Sequence, residues 1–216
     1  MIAVEEGGTF WRESMKVAVL GASGRAGSEI VKELVSRGHQ VVAIARHPDN
    51  IPTLEGVVAV AGDALDVEKL AEQIAGCDAA ISALTFDVPA STLLDALRRA
   101  GVGRLLVTGG AASLKDDQDR RLIDTDAMPE SWKPIAQAGI DFFYALKEEK
   151  EIDWVFFSPA FNFVVGPRTG TFRLGAEHLL KDETGDSRIS FADYAIAMVD
   201  ELESHAHSRE RFTIAY

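Results

Sequence analysis

The chain has 216 residues, 47% of them apolar, a formal net charge of −12 and a single cysteine, Cys77. That length suits one sizeable core, and that charge repels phosphate backbones and anionic lipid, which argues against nucleic acid or a membrane surface as a partner. One cysteine excludes an intramolecular disulfide and a thiolate metal cluster, and no run of about 18 apolar residues exists to span a membrane.

Residues 1–14 read as an extension ahead of the fold. They lack the basic start and apolar stretch of a secretory signal, and a cytoplasmic location is expected. From Lys16 the pattern alternates. "KVAVLG" is a short apolar run ending in glycine. Ile30, Val31, Leu34 and Val35 then recur at helical spacing, and Gly38 stops that helix. "QVVAIA" and "GVVAVAGD" read as the second and third strands. A helix follows behind the N-cap Asp66, carried by Val67, Leu70, Ala71 and Ile74. "DAAISAL" is a fourth strand. Leu93, Leu94 and Leu97 mark a helix ending at Gly101, and "GRLLVTGG" is a fifth strand.

The next stretch, "SLKDDQDRRLIDTDAMPE", is too polar to be core, and its length points to a functional loop. A helix over 135–151 precedes the sixth strand, "DWVFFSPA". Residues 162–188 look irregular, with short strands in "GTFRLGAEHLL". Ser190 and Asp193 have capping-box spacing ahead of a helix over 192–203, and "RFTIAY" closes the chain as a strand. Strands alternating with helices, and apolar along their whole length, imply a parallel sheet covered on both faces. No heptad repeat or exposed apolar helix face sets an oligomeric state.

The chemistry begins at "GASGRAG", residues 21–27. It has the form G-x-x-G-x-x-G, and it leaves a strand and opens a helix. Gly21 permits the turn, Gly24 lets a pyrophosphate approach the backbone, and Gly27 lets the helix pack closely. The N–H groups around Arg25, Ala26 and Gly27 then face the phosphates. The fold class is therefore an α/β, Rossmann-type, doubly wound parallel sheet. It forms one domain over 15–216, with a small substrate-side segment at about 160–190.

The cofactor follows from the second strand. A dinucleotide without a 2′-phosphate usually meets a carboxylate about 20 residues beyond the last glycine. Here Arg46 stands at that place, either as a bidentate clamp for a 2′-phosphate or as a surface arginine. Ser23 and Arg25 can add to the same contact, and His47 lies next to it. NADPH/NADP is thus favoured, with NADH as the other nicotinamide candidate. Asp63 either accepts the adenine amino group or caps a helix. Ala83 and Leu84, then Thr108, Gly109 and Gly110, then Pro159 and Ala160, end the fourth, fifth and sixth strands and should flank the nicotinamide half.

An acid–base pair is harder to find. Short-chain dehydrogenases commonly use Tyr-x-x-x-Lys. Four residues after Tyr144 stands Glu148, and four after Tyr194 stands Met198. Ser113 can substitute for the missing serine after the fifth strand, or is an ordinary loop serine. Tyr144 can donate a proton, or packs beside Phe142 and Phe143. Phe161, Phe163 and "TFRLG" are either walls for a flat substrate or core. His39 is expected in solvent, and His178 either enters the substrate pocket or is a surface group. His205 and His207 lack a zinc-like arrangement, so no metal is expected. Cys77 reads as a small buried apolar residue.

Over residues 16–216 the sequence resembles the NADH-flavin reductase family, an atypical branch of the short-chain dehydrogenases. The segments "GASGRAG", "GGAASL", "RTGTFRLG" and "RISFADYA" carry the likeness. More distantly it is similar to the biliverdin-IXβ and flavin reductase group, from which it departs at the serine near Gly110 and the histidine near Tyr144. The resemblance implies NAD(P)H binding and reduction of a flavin, which would be a substrate and not a resident cofactor. Flavin reduction tolerates a missing acid, because placing two rings face to face does most of the work. The expectation is therefore a reductase acting on a flavin or similar conjugated small molecule. A reading of a different class is a non-catalytic dinucleotide sensor of the NmrA-like type.

Overall fold

The computed structural model describes residues 14–216. The expected extension over 1–14 therefore lies, save for Ser14, outside the described residues. Five parallel strands come first: β1 (Lys16–Leu20), β2 (Gln40–Ala45), β3 (Val57–Ala61), β4 (Ala79–Ser82) and β5 (Arg104–Thr108). Between them run the helices α1 (Arg25–Ser36), α2 (Val67–Ile74) and α3 (Ala90–Ala100). Then come α4 (Lys133–Lys147), β6 (Asp153–Ser158), β7 (Asn162–Val164), β8 (Arg173–Gly175), β9 (Arg188–Ser190), α5 (Phe191–Ser204) and β10 (Glu210–Ala215).

The main sheet has the order β3-β2-β1-β4-β5-β6-β10-β8. Every pairing in it is parallel except β8 on β10, which runs antiparallel through Ile214 opposite Leu174. β7 and β9 pair separately. This is a Rossmann-like α/β architecture. The strand order reverses between β1 and β4, so a crevice forms there at the carboxyl edge of the sheet.

Both faces are covered, as the unbroken apolar strands require. On one face Ile30, Val31 and Leu34 of α1 and Tyr194, Met198 and Leu202 of α5 pack on Val17, Val19, Leu106 and Phe157. On the other, Leu70 and Ile74 of α2, Leu93 and Leu97 of α3 and Phe143 and Leu146 of α4 pack on Ala18, Leu105 and Phe156. Each such Leu, Ile or Phe contributes roughly 1.5–3 kcal/mol by leaving water. The edge strand β3 departs from this pattern: Val58 is 62% exposed, and among the described residues no strand pairs with the outer side of β3.

Helix ends follow local chemistry. Asp66 caps α2 by accepting from the Lys69 N–H at 3.1 Å. Gly101 ends α3 in the left-handed region, φ +71°. Ser190 caps α5 by accepting from the Asp193 N–H at 3.0 Å. The Asp193 carboxylate does not reach back to complete a capping box. It binds the Thr169 and Gly170 N–H groups and the hydroxyls of Thr169 and Tyr216.

Three expectations change. The stretch 113–130 is not purely polar loop: Leu114, Leu122, Ile123 and Met128 are buried and form a small third core with Ile140 of α4. α4 ends at Lys147, short of the expected Glu151, because the Glu149 carboxylate accepts the N–H groups of Glu151 and Ile152 and turns the chain. His39 is buried at 4% exposure, not solvated. Its Nδ1 accepts the Met15 N–H and its Nε2 faces Glu203 at 3.1 Å.

Candidate functional site

The site grows out of the turn after β1. The Gly21 and Ala22 N–H groups both donate to the Ile44 carbonyl, at 2.9 and 3.2 Å, and the Gly24 N–H donates back to Gly21 at 3.0 Å. Gly21 sits at φ +78°, and a Cβ there would lie 2.7 Å from the Ala83 carbonyl oxygen. A Cβ on Gly27 would lie 2.2 Å from the Gly21 carbonyl oxygen. Gly24 occupies the N-cap of α1 with no side-chain cap, and no acidic residue stands in the first turn. The N–H groups of Arg25, Ala26 and Gly27 therefore lack an intrahelical acceptor and form a ready anion site.

Beside this turn lies a cleft of about 230 Å³, at the reversal of strand order. Of the residues expected from sequence, Gly21, Ser23, Gly24, Arg46, His47, Asp63, Ala83 and Leu84 line it together. Arg46 is exposed, and no hydrogen bond or ion pair ties its guanidinium among the described residues. Asp63 turns Oδ1 to the Leu65 N–H at 3.0 Å, while helix capping falls to Asp66. Asp63 lines the cleft, and among the described residues no hydrogen bond engages its second carboxylate oxygen.

Thr85, from the expected strand end "SALTF", also lines the cleft, and so does Asp87, which the sequence reading did not single out. The Thr85 hydroxyl donates to the Asp87 carboxylate, which fixes the turn between β4 and α3. Phe86 between them, the last residue of that strand end, does not line the cleft. Its ring packs on Phe142 and Phe156 and fills the space that a side chain on Gly139 would need.

The other expected residues lie elsewhere along the same sheet edge. Thr108, Gly109 and Gly110 end β5. The Gly109 N–H donates to Phe157 at 2.8 Å, and a Cβ on Gly109 would strike the Phe156 ring at 2.5 Å. Pro159 and Ala160 follow β6, with Ala160 buried. None of these five lines the cleft. Arg25 does not line it either; its guanidinium lies 5.3 Å from the centre of the Phe191 ring, on the α5 side.

The structure does not bring Ser113 and Tyr144 to the cleft or to each other's chemistry. Ser113 is buried, and its Oγ accepts from Arg211 Nη1 at 2.7 Å. Arg211 is held in turn by Glu177 and by the Phe143 ring, 4.6 Å away. Tyr144 is exposed and packs on Phe143, with ring centres 5.9 Å apart, while Lys147 lies over its face. His178 bonds Asp119 at the surface. Phe163 packs on Phe191 and Tyr194, so of the proposed aromatic walls it belongs to the core. His207 bonds Glu201 and stacks on Phe212.

Among the described residues no group of three or more His, Cys, Asp or Glu side chains could hold a metal ion, and no helix is long and apolar enough to cross a membrane.

A family model described as NAD(P)H-binding matches residues 21–203. The chain is 39% identical to an uncharacterised Bacillus subtilis protein, YwnB, over 93% of this chain and 98% of that one. A candidate epimerase from Bacteroides thetaiotaomicron has a similar structure: TM-score 0.90, 42% identity, 94% of this chain and 98% of the other covered. So does a candidate NADH-flavin reductase from Streptococcus pneumoniae: TM-score 0.82, 38% identity, 94% and 99% covered.

Proposed function

This chain belongs to the NAD(P)H-binding family, and on that premise we propose that it is an NADPH-dependent reductase of a flavin or similar conjugated small molecule. One observation carries the coenzyme choice. The end of β2 presents Arg46, a cation with no partner among the described residues, on the wall of the cleft that the glycine turn opens. A guanidinium there matches a 2′-phosphate in shape and charge, and a 2′-hydroxyl gains less from it.

The chain's own residues fit the coenzyme. Gly24 leaves room over the helix N-terminus, the free first-turn N–H groups take the pyrophosphate, and Asp63 offers an acceptor at the adenine end. When bound, a reduced nicotinamide would supply a hydride to the acceptor, and solvent would supply the one proton that completes reduction of a flavin. Around that end the protein contributes Thr108, Gly109, Gly110, Pro159 and Ala160, small and uncharged groups suited to letting two rings meet. Ser113 is committed to Arg211 and Tyr144 lies on the outside. This supports an acceptor reduced mainly by being placed correctly over a simple ketone, which needs a positioned acid.

The same commitment of Ser113 favours the second reading, a non-catalytic sensor of the NADPH/NADP⁺ ratio. Mixing the protein with NADPH and riboflavin, FMN or a quinone, and following the nicotinamide absorbance, separates the two. Turnover supports the reductase. Tight binding of both coenzyme forms without turnover supports the sensor, and binding of neither coenzyme removes both.

A further inference from the structure

We propose that the acceptor enters the cavity between residues 116–127 and 161–187, and that this cavity selects flat acceptors that carry no phosphate; the assignment rests on the reductase reading above. The cavity encloses about 390 Å³, within the range of small-molecule sites. Leu122, Phe161 and Leu179 give it an apolar floor. Phe161 directly follows Pro159 and Ala160, so the floor begins where β6 leaves the sheet. Trp132 leans beside Phe161, with ring centres 6.1 Å apart, and is half exposed.

The walls are fixed without a ligand. The Lys115 N–H donates to the Glu177 carbonyl at 2.9 Å, and the Leu179 N–H donates to the Lys115 carbonyl at 2.8 Å. Ser187 Oγ accepts the Phe161 N–H at 3.1 Å. A ring entering here meets a formed surface, which lowers the ordering cost of binding.

The charges decide the ligand class. Arg120 turns Nε and Nη2 onto the Asp116 carboxylate, at 3.0 and 2.7 Å. Lys181 bonds Asp117 at 2.9 Å. Asp186 accepts from Asn162 and Arg188, at 2.7 and 3.0 Å. The cavity's cations are thus neutralised. Asp126 is different: it lines the cavity, is exposed, and has no hydrogen bond or ion pair among the described residues. A phosphate, carrying about −1.5 to −2 charges at neutral pH, meets that carboxylate with no free cation to offset it. An uncharged ring with hydroxyl or N–H donors meets an apolar floor and a free acceptor.

Riboflavin and FMN share one ring system and differ by a phosphate, so they form the test. Binding of each to the protein saturated with NADP⁺ is followed by flavin fluorescence, and NADPH oxidation is measured with each separately. Riboflavin is expected to bind about tenfold more tightly than FMN, the size of effect that one partly screened charge produces at close range. Asp126→Lys is expected to erase or reverse that preference. Equal binding of the two flavins, or a preference that Asp126→Lys leaves unchanged, overturns the assignment. Equal use of both flavins in turnover does so too, while leaving the reductase reading in place. A riboflavin preference in binding without NADPH oxidation keeps the cavity and its ligand class and removes the reductase reading. Binding of neither flavin overturns the cavity.

Discussion

Gly27 stands so close to Gly21 that a methyl group on its Cα would lie 2.2 Å from the Gly21 carbonyl oxygen. That carbonyl also accepts the Gly24 N–H, so the turn has no slack on that side. Gly27→Ala must push the start of α1 away from the turn. The expected loss is about 1–3 kcal/mol of stability, as for other overpacked sites, together with weaker NADPH binding. Thermal unfolding with and without NADPH measures both. An unchanged midpoint and unchanged binding would mean that the turn relaxes freely.

Arg46→Glu should weaken NADPH binding by roughly 1.5–3 kcal/mol more than NADH binding, the value of a hydrogen bond to a charged group. Titration of each coenzyme by its fluorescence gives the two constants. Equal effects on both would remove the phosphate-clamp role.

Ser113→Ala removes the oxygen that receives Arg211 Nη1 inside the protein. A buried guanidinium that loses an acceptor costs about 1–3 kcal/mol. The expected result is a lower denaturation midpoint with turnover per folded molecule preserved. A loss of turnover at an unchanged midpoint would return Ser113 to the reacting centre.

Two buried carboxylates predict the response to acid. Burial alone would raise the Asp193 carboxyl, but bonds from Thr169, Gly170 and Tyr216 outweigh it and hold the group below its ordinary 3.8. Burial likewise opposes ionisation of Glu33, and Arg168 and Arg37 outweigh it, so Glu33 titrates below its ordinary 4.5. Each folded-state value lies below the unfolded one. Each group therefore contributes stability that is complete above about pH 5 and is lost as pH falls through the folded value. Denaturant midpoints should be flat on these groups' account above about pH 5 and fall below about pH 4. Asp193→Asn should flatten that fall. An identical acid slope in the variant would show that Asp193 is not among the groups responsible.

The glycine turn and the strand ends beside the cleft were legible in the sequence because their signals are local. A glycine turn, the cap at Asp66 and the left-handed Gly101 each depend on a few adjacent residues. So does Arg46 at a strand end. The segment 113–130 depends on contacts between distant parts of the chain. Leu114, Leu122, Ile123 and Met128 are scattered among charges with no helical or strand period, so nothing in 113–130 announced that they meet Ile140. Ser113 could be read either as a substitute for the missing serine or as an ordinary loop serine, and only the fold shows that Arg211 reaches it from the last strand. His39 looked solvated because it follows a helix-ending glycine; burial against Met15 and Glu203 is a tertiary fact.

The backbone bonds that join Lys115 to Glu177 and Leu179 have a consequence for engineering. They make the segments after β5 and β6, far apart along the chain, a single transferable piece. A chimera that exchanged only one of these segments with a relative would keep the backbone joint but pair side chains of Leu122, Phe161 and Leu179 with neighbours from another chain. Exchanging both together should carry acceptor preference across intact and leave the glycine turn, and the coenzyme it receives, untouched.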